Sequence, residues 1–290
     1  MIPDPHWLDR SQFPFQPRWW NTRNGTMHYV DEGEGDPVVF VHGVPGWSFH
    51  FRHLIRHLSA GHRCVAPDHL GFGLSDKPRD WDYPPEVLAG NVWGLIDELE
   101  LEDVVLVVHD WGGPLGLSYA LERPDNVVGV VVFNSWMWSA KGDFRTRATT
   151  RLLASGLYRA LDSRFALTAR VFPPLAAGHG RALSPASRTH FHGPFRNPVD
   201  RVGLLSLVRS THTADSWVGG LWDRRHVIQD LPALVVWGMA DPAFPSRYLT
   251  HWEELFPAAH LERMGGAGHY PFEEHPARTG DLVAQFLRRL

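Results

Sequence analysis

A chain of 290 residues with a formal net charge of −4 and 43% hydrophobic residues has room for one large α/β domain, or for a core domain with an insertion. The small charge gives no reason to expect nucleic acid or an anionic membrane as a partner, and no apolar stretch approaches the roughly 20 residues of a membrane span. The lone Cys64 excludes an intramolecular disulfide, and the N-terminal residues do not predict a signal peptide, so we expect a cytoplasmic protein.

Strand and helix patterns alternate along the first half of the chain. Short apolar runs typical of buried strands occur, in chain order, at Met27–Asp31, Pro37–Val41, Arg63–Ala66, Asp103–Val108 and Val127–Phe133. Helices are predicted between them at His50–Leu58, at Glu86–Leu99 and after Gly112. This alternation predicts a parallel sheet flanked by helices.

The strand patterns stop at about residue 136. Helical stretches rich in arginine, alanine and leucine, such as Ala148–Leu161, replace them and predict a helical cap at 136–223, inserted into a core domain formed by 1–135 and 224–290. The remaining elements are predicted as strands at Leu231–Trp237 and His260–Met264, and as helices at Arg247–Leu255 and Thr279–Leu290.

The most informative residue follows the strand predicted at Asp103–Val108. Asp110 stands in Val108-His109-Asp110-Trp111-Gly112, between that strand and a helix, at the position of a hydrolytic nucleophile. The turn needs a small residue two places after the nucleophile, and Gly112 meets that need. A carboxylate is ionised at neutral pH, and more so beside a helix N-terminus, so it attacks carbon without a base. The expected product is an ester on the protein, which water must then hydrolyse.

Hydrolysis of that ester needs a base, an acid that orients the base, and donors for the oxyanion. His269 lies in a glycine-rich loop after the last predicted strand and is the candidate base, and Asp241 follows the preceding strand and is the candidate acid. A loop aspartate before a proline is often only a turn former, but the chain order Asp110, Asp241, His269 matches nucleophile, acid and base. The backbone N–H groups of Val44 and Trp111 are the candidate oxyanion donors.

Five short motifs together resemble the α/β-hydrolase superfamily over nearly the whole chain. They are His42-Gly43-x-Pro45, Asp68-x-x-Gly71-x-Gly73-x-Ser75, the Asp110 turn, Gly238-x-x-Asp241 and Gly268-His269. The resemblance implies the α/β-hydrolase fold, with a mostly parallel central sheet flanked by helices and an inserted helical cap. Within the superfamily, an aspartate at this turn is typical of haloalkane dehalogenases and epoxide hydrolases, whereas a serine there marks esterases, lipases and peptidases.

The run His109-Asp110-Trp111-Gly112-Gly113-Pro114 resembles haloalkane dehalogenases, in which the tryptophan indole N–H holds the departing halide. Trp47-Ser48-Phe49 and Asn134-Ser135-Trp136-Met137-Trp138 are similar to one branch of that family, in which the catalytic acid follows the later strand, as Asp241 does. The resemblance implies a small apolar halogenated substrate, water as the second reactant, and an alcohol and a halide ion as products. It implies neither a metal nor an organic cofactor.

One position departs from this pattern. Many haloalkane dehalogenases carry asparagine at the position of Val44, where the side-chain N–H is the second halide donor, and valine cannot donate. We expect the missing donor among Trp136, Trp138 and Asn134, near the start of the predicted cap. Loss of one such donor costs on the order of 1–3 kcal/mol, which slows a dehalogenase without excluding it.

Two other functions stay open on the sequence. Epoxide hydrolases share the aspartate, but they need two cap tyrosines as donors, and Tyr158 is the only tyrosine between Asn134 and Trp217. A non-catalytic protein that keeps the pocket for a small apolar ligand is the other alternative. Fluoroacetate dehalogenases are disfavoured, because they usually carry arginine where this chain has Trp111. The sequence leaves the preferred substrate and the oligomeric state open.

Overall fold

A central sheet organises the structure, a computed structural model that describes residues 4–178 and 183–290. Within those residues its strands are β1 Arg18–Thr22, β2 Gly25–Glu32, β3 Pro37–Val41, β4 Arg63–Pro67, β5 Val104–Asp110, β6 Val127–Ser135, β7 Ala233–Gly238 and β8 His260–Met264. They lie in the order β1-β2-β4-β3-β5-β6-β7-β8. The pairs from β4 to β8 are parallel, whereas β2 runs antiparallel to both β1 and β4. The predicted mostly parallel sheet is confirmed.

The middle strands are buried on both faces because their sequences are almost wholly apolar. In β5, Val105 and Val107 belong to one hydrophobic cluster, and Leu106 and Val108 belong to the other. This division follows from the two-residue period of a strand, which points successive side chains to opposite faces. Because helices cover both faces, it is the ends of the strands that reach an open edge of the sheet.

The helices divide into those that pack on the sheet and those between β6 and β7. Those beside the sheet are α1 Arg52–Leu58, α2 Pro85–Glu98, α3 Gly112–Glu122, α10 Leu249–Leu255, α11 Pro271–Glu274 and α12 Pro276–Leu287. Those between β6 and β7 are α4 Phe144–Leu153, α5 Gly156–Phe165, α6 Phe172–Ala176, α7 Pro185–His192, α8 Val202–Thr213 and α9 Asp215–Asp223. The latter set occupies the predicted cap, whose boundaries at 136–223 stay a prediction.

Two elements differ from the sequence-based expectation. The single helix predicted at Ala148–Leu161 is wrong: the chain forms α4 and α5 there, because the Ser155 hydroxyl accepts a hydrogen bond from the Tyr158 N–H at 3.1 Å and caps a new helix. Strand β1 was not predicted at all. Its side chains are mostly exposed at the edge of the sheet, so its sequence lacks the alternation of apolar and polar residues that marks a half-buried strand.

Two kinds of feature are absent from the described ranges. None of the helices there is long and apolar enough to cross a membrane. Residues 4–178 and 183–290 also contain no group of three or more His, Cys, Asp or Glu side chains arranged to hold a metal ion.

Candidate active site

Asp110 occupies the turn between β5 and α3. It is the last residue of β5 and has a φ of +53°, a left-handed conformation that non-glycine residues rarely adopt. Glycine is required at position 112 because a Cβ there would collide with the backbone oxygen of Val41 in β3. The strained turn holds the carboxylate at the carboxyl edge of the sheet, where it lines a cavity.

The surroundings of the Asp110 carboxylate distinguish its two oxygens. Oδ1 accepts a hydrogen bond from the backbone N–H of Val44 at 2.6 Å, whereas Oδ2 is directed towards His269. Burial raises the pKa of Asp110 to about 6, although the charge of His269 and hydrogen bonds from the amides of Val44 and Trp111 act to lower it. The carboxylate is therefore ionised above about pH 6, and its charge is poorly solvated there.

His269 faces Asp110 from the loop after β8. Its Nε2 lies 3.8 Å from Oδ2 of Asp110 and has no hydrogen-bond partner among the described residues. Its Nδ1 lies 2.8 Å from Oδ2 of Asp241, and a carboxylate acceptor at that distance assigns the ring proton to Nδ1 and the lone pair to Nε2. Burial lowers the pKa of His269, but the charge and hydrogen bond of Asp241 and the charge of Asp110 outweigh burial and raise it. The structure thus brings these three predicted residues together.

Asn134 holds Asp241 in place. Its Nδ2 donates to Oδ2 of Asp241 at 2.8 Å and to the carbonyl of Gly238 at 3.2 Å, and its Oδ1 accepts from the N–H of Gly238 at 2.8 Å. Both amide hydrogens have acceptors in this structure, which favours Trp136 or Trp138 as the second halide donor, and a role for Asn134 as that donor stays a prediction. The other oxygen of Asp241 accepts from the backbone N–H of Ala243 at 2.7 Å, which fixes the carboxylate plane.

The loop that carries His269 is also anchored to α6. The backbone N–H of His269 donates to the carbonyl of Ala176 at 2.8 Å. The carboxylate of Glu274 accepts from the N–H of Gly268 at 3.0 Å and from that of Gly178 at 2.7 Å. A chain segment from the predicted cap is therefore tied by buried hydrogen bonds to the candidate base itself and to Glu274, which also holds the N–H of Gly268.

Three tryptophans surround the space next to Asp110. The indole N–H of Trp111 is buried and has no acceptor among the described residues. Trp136 packs edge-to-face on Trp111 with ring centroids 5.0 Å apart, and both rings line the cavity. Trp138 lines the cavity as well, but its ring stacks on His251 at 4.2 Å. Trp136 is thus the candidate second donor that touches Trp111.

The cavity itself has a volume of about 880 Å³ and a mostly apolar lining, near the upper end of the range of about 300–1,000 Å³ for small-molecule sites. Tyr248, from the segment before α10, lines it together with Tyr158. Their hydroxyls pair with those of Thr146 at 2.9 Å and Thr168 at 2.8 Å, respectively. Tyr248 lies outside the predicted cap, so the sequence-based count of cap tyrosines did not include it. The chain after β7 returns to the cavity, and no local sequence pattern predicts that return.

The sequence matches known proteins over most of its length. The family profile described as "alpha/beta hydrolase fold" matches residues 36–276. Haloalkane dehalogenase 2 of Mycobacterium tuberculosis (strain ATCC 25618 / H37Rv) is 34% identical over 282 residues, which cover 96% of each chain. The protein belongs to the α/β-hydrolase family.

Two further proteins similar to this α/β-hydrolase are named for different reactions. The cis-3-alkyl-4-alkyloxetan-2-one decarboxylase of Shewanella oneidensis is 32% identical over 295 residues, which cover 94% of this chain and 89% of that protein. Among solved structures, haloalkane dehalogenase DatA from Agrobacterium tumefaciens C58 superposes with a TM-score of 0.83 at 25% identity, covering 94% of this chain and 96% of that chain. The family and the haloalkane dehalogenase relatives support hydrolase activity and confirm the predicted resemblance to haloalkane dehalogenases.

Proposed function

We propose that this α/β-hydrolase is a haloalkane dehalogenase that works through a covalent ester on Asp110. One observation carries the proposal: the Asp110 carboxylate lines an apolar cavity, next to the unpartnered indole N–H of Trp111 and 3.8 Å from the Nε2 of His269. A haloalkane needs these three groups, namely a carboxylate that attacks carbon, a donor for the halide and a base for the second step. The names of several relatives agree with this reaction.

The first step is displacement at an sp³ carbon. Because Val44 holds Oδ1, the attacking atom is Oδ2 of Asp110. A bond forms between Oδ2 and the substrate carbon, the carbon–halogen bond breaks, and the halide leaves with the electron pair. A halide entering an apolar cavity loses its hydration, and the indole N–H of Trp111 replaces part of it.

The second step is hydrolysis of the alkyl ester. His269 takes a proton from water at Nε2, and the water oxygen attacks Cγ of Asp110. The negative charge then develops on Oδ1, where the amides of Val44 and Trp111 stabilise it. When the bond between Cγ and Oδ2 breaks, the alcohol leaves with the proton from His269. The Asp110 carboxyl group, which now contains one oxygen from water, releases its remaining proton to solvent and returns to the carboxylate.

Ester formation also prepares His269 for its role as a base. The charge of Asp110 is one of the causes that raise the pKa of His269 in the free protein. The ester carries no charge, so that contribution disappears and a larger fraction of the imidazole is neutral. Asp241 still holds Nδ1, and Nε2 keeps the lone pair that the water needs.

A His269→Ala variant tests the proposal directly. After incubation with 1,2-dibromoethane, mass spectrometry of the peptide that contains Asp110 is expected to show a bromoethyl adduct, because the ester forms but is not hydrolysed. The matched control, His269→Ala combined with Asp110→Asn, is expected to show none. If a panel of bromoalkanes gives no adduct while an epoxide gives one, epoxide hydrolysis replaces dehalogenation as the function.

Two observations favour a second candidate, decarboxylation of a four-membered lactone, the reaction named for the Shewanella oneidensis relative. Val44 offers no side-chain donor for a halide, and a cavity of about 880 Å³ exceeds what a small dihaloalkane requires. Incubation of the wild-type protein with a cis-3,4-dialkyloxetan-2-one separates the two functions. Release of carbon dioxide and an alkene, without bromide release from the haloalkane panel, would favour the lactone reaction.

A further inference from the structure

The segment 144–178, which contains α4, α5 and α6, exposes many apolar side chains. Of the thirteen large hydrophobic residues that are exposed among the described residues, seven lie in this segment. They are Phe144, Leu152, Leu157, Leu161, Phe165, Val171 and Leu175. Phe144 is 83% exposed and Leu175 is 71% exposed. A concentration of this kind marks an interaction site rather than ordinary surface scatter.

The same segment is strongly basic. It contains six arginines and one acidic residue, Asp162, which gives a formal charge of +5. Because the whole chain carries −4, the remaining residues together carry −9. All six arginines are exposed, whereas Asp162 is buried and accepts hydrogen bonds from Thr168. The arginines are Arg145, Arg147, Arg151, Arg159, Arg164 and Arg170.

Helix α5 carries both exposed apolar side chains and exposed arginines. Leu157, Leu161 and Phe165 follow one another at four-residue intervals, which places them along one face of the helix, and all three are exposed. Arg164 is exposed beside this stripe, and its guanidinium lies 5.6 Å from the ring of Phe165, whereas Arg159 is exposed on another side of the helix. An exposed apolar stripe bordered by an arginine, on a basic helix, is the pattern of a helix that lies in a lipid–water interface.

We propose that this surface, the arginine–apolar face of residues 144–178, docks the protein on an anionic lipid bilayer. The apolar side chains enter the headgroup region while the arginines contact lipid phosphates. The small net charge of the whole chain gives no sign of this surface, because the charge of +5 on residues 144–178 is offset by a charge of −9 on the remaining residues.

The charge of the arginine–apolar face and its position beside the cavity favour a lipid bilayer over a protein as its binding partner. A second copy packed through the same face would bring two surfaces of charge +5 together, which electrostatic repulsion opposes. Phe144 and Arg145 line the cavity as well as belonging to this face, so a rigid protein docked there would cover them. A fluid bilayer would instead place the cavity next to the phase in which apolar molecules concentrate.

Vesicle sedimentation tests the proposal with the full chain. The wild-type protein is expected to sediment with phosphatidylcholine vesicles that contain phosphatidylglycerol and to sediment much less with phosphatidylcholine alone. The variant Leu157→Ser/Leu161→Ser/Phe165→Ser is expected to lower the partition coefficient by about tenfold or more. The variant Arg159→Gln/Arg164→Gln is expected to weaken binding and to reduce its dependence on salt.

A matched control removes exposed apolar residues elsewhere. Val87→Ser/Val227→Ser alters two side chains, each 38% exposed, outside the arginine–apolar face and is expected to leave vesicle binding unchanged. Thermal unfolding of every variant establishes that the fold is retained. Absence of wild-type binding to anionic vesicles overturns the proposal, as does equal loss of binding in the control. Binding to an acidic protein column without vesicle binding would assign the face to a protein partner instead and would also overturn it.

Discussion

Replacement of Asp110 by asparagine is expected to stabilise the fold at neutral and alkaline pH. The pKa of this carboxyl is raised from 3.8 to about 6, chiefly by burial. At about 1.4 kcal/mol per pKa unit, keeping the charged form in the folded protein costs about 3 kcal/mol. Asparagine keeps an oxygen that accepts from the N–H of Val44 and carries no charge, so the variant avoids this cost.

The sign of the effect follows from the direction of the shift. A carboxyl whose pKa is higher in the folded state stabilises that state below its unfolded pKa, and this contribution is lost as the pH rises through the folded value. The stability difference between Asp110→Asn and the wild type should therefore grow from near zero below about pH 4 to about 3 kcal/mol above about pH 7.

Urea denaturation at a series of pH values measures this difference. Asp125→Asn is a suitable control, because that residue lies in a surface turn away from the cavity. A difference that does not change with pH, or an Asp110→Asn protein that is less stable at pH 8, would refute the reasoning. Since the same substitution removes the attacking oxygen, the gain in stability should accompany a loss of activity.

Three further outcomes are expected. Trp111→Phe should lower the rate of bromide release by about 10- to 100-fold, because it removes the indole N–H, whereas Trp138→Phe should have a smaller effect; equal effects would contradict the assignment. Val44→Asn should raise the rate of bromide release by up to about tenfold, because it supplies a second side-chain donor at the cavity wall, and an unchanged rate would count against a halide site there. Ester formation, measured as rapid bromide release, should decline below about pH 6 as Asp110 becomes protonated. Ester hydrolysis, measured as alcohol release, should decline as His269 becomes protonated. The midpoint of that second decline should lie below the pKa of His269 in the free protein.

The order of the elements and the meeting of the three candidate residues could be anticipated from the sequence. Buried parallel strands are continuous apolar runs, and their carboxyl ends meet at one edge of a sheet. Asp110, Asp241 and His269 each follow such a run, so their proximity follows from topology without any knowledge of side-chain packing. Their roles in catalysis stay a proposal.

Features that depend on side-chain direction could not be anticipated in this way. The position of Asn134 at the end of β6 is compatible with a side chain that points into the cavity or towards Asp241, and only packing decides between them. Tyr248 reaches the cavity through a fold-back of the chain after β7, over a sequence distance that no periodic pattern spans. The basic character of 144–178 could have been found by counting charge in windows instead of over the whole chain.

The hydrogen bonds between α6 and the loop that carries His269 restrict the routes by which substrate enters the cavity and product leaves it. Moving α6 away from the sheet would break the hydrogen bond from the His269 N–H to the carbonyl of Ala176 and the hydrogen bond from the Gly178 N–H to the carboxylate of Glu274. The N–H groups of His269 and Gly178 would then each lose an acceptor, which is costly for a buried donor. Substrate and product are therefore expected to reach and leave Asp110 between side chains that line the cavity and are exposed, such as Phe144 and Arg145. The speed of turnover would then be governed by the width of that passage, and widening it would alter product release before it altered bond breaking.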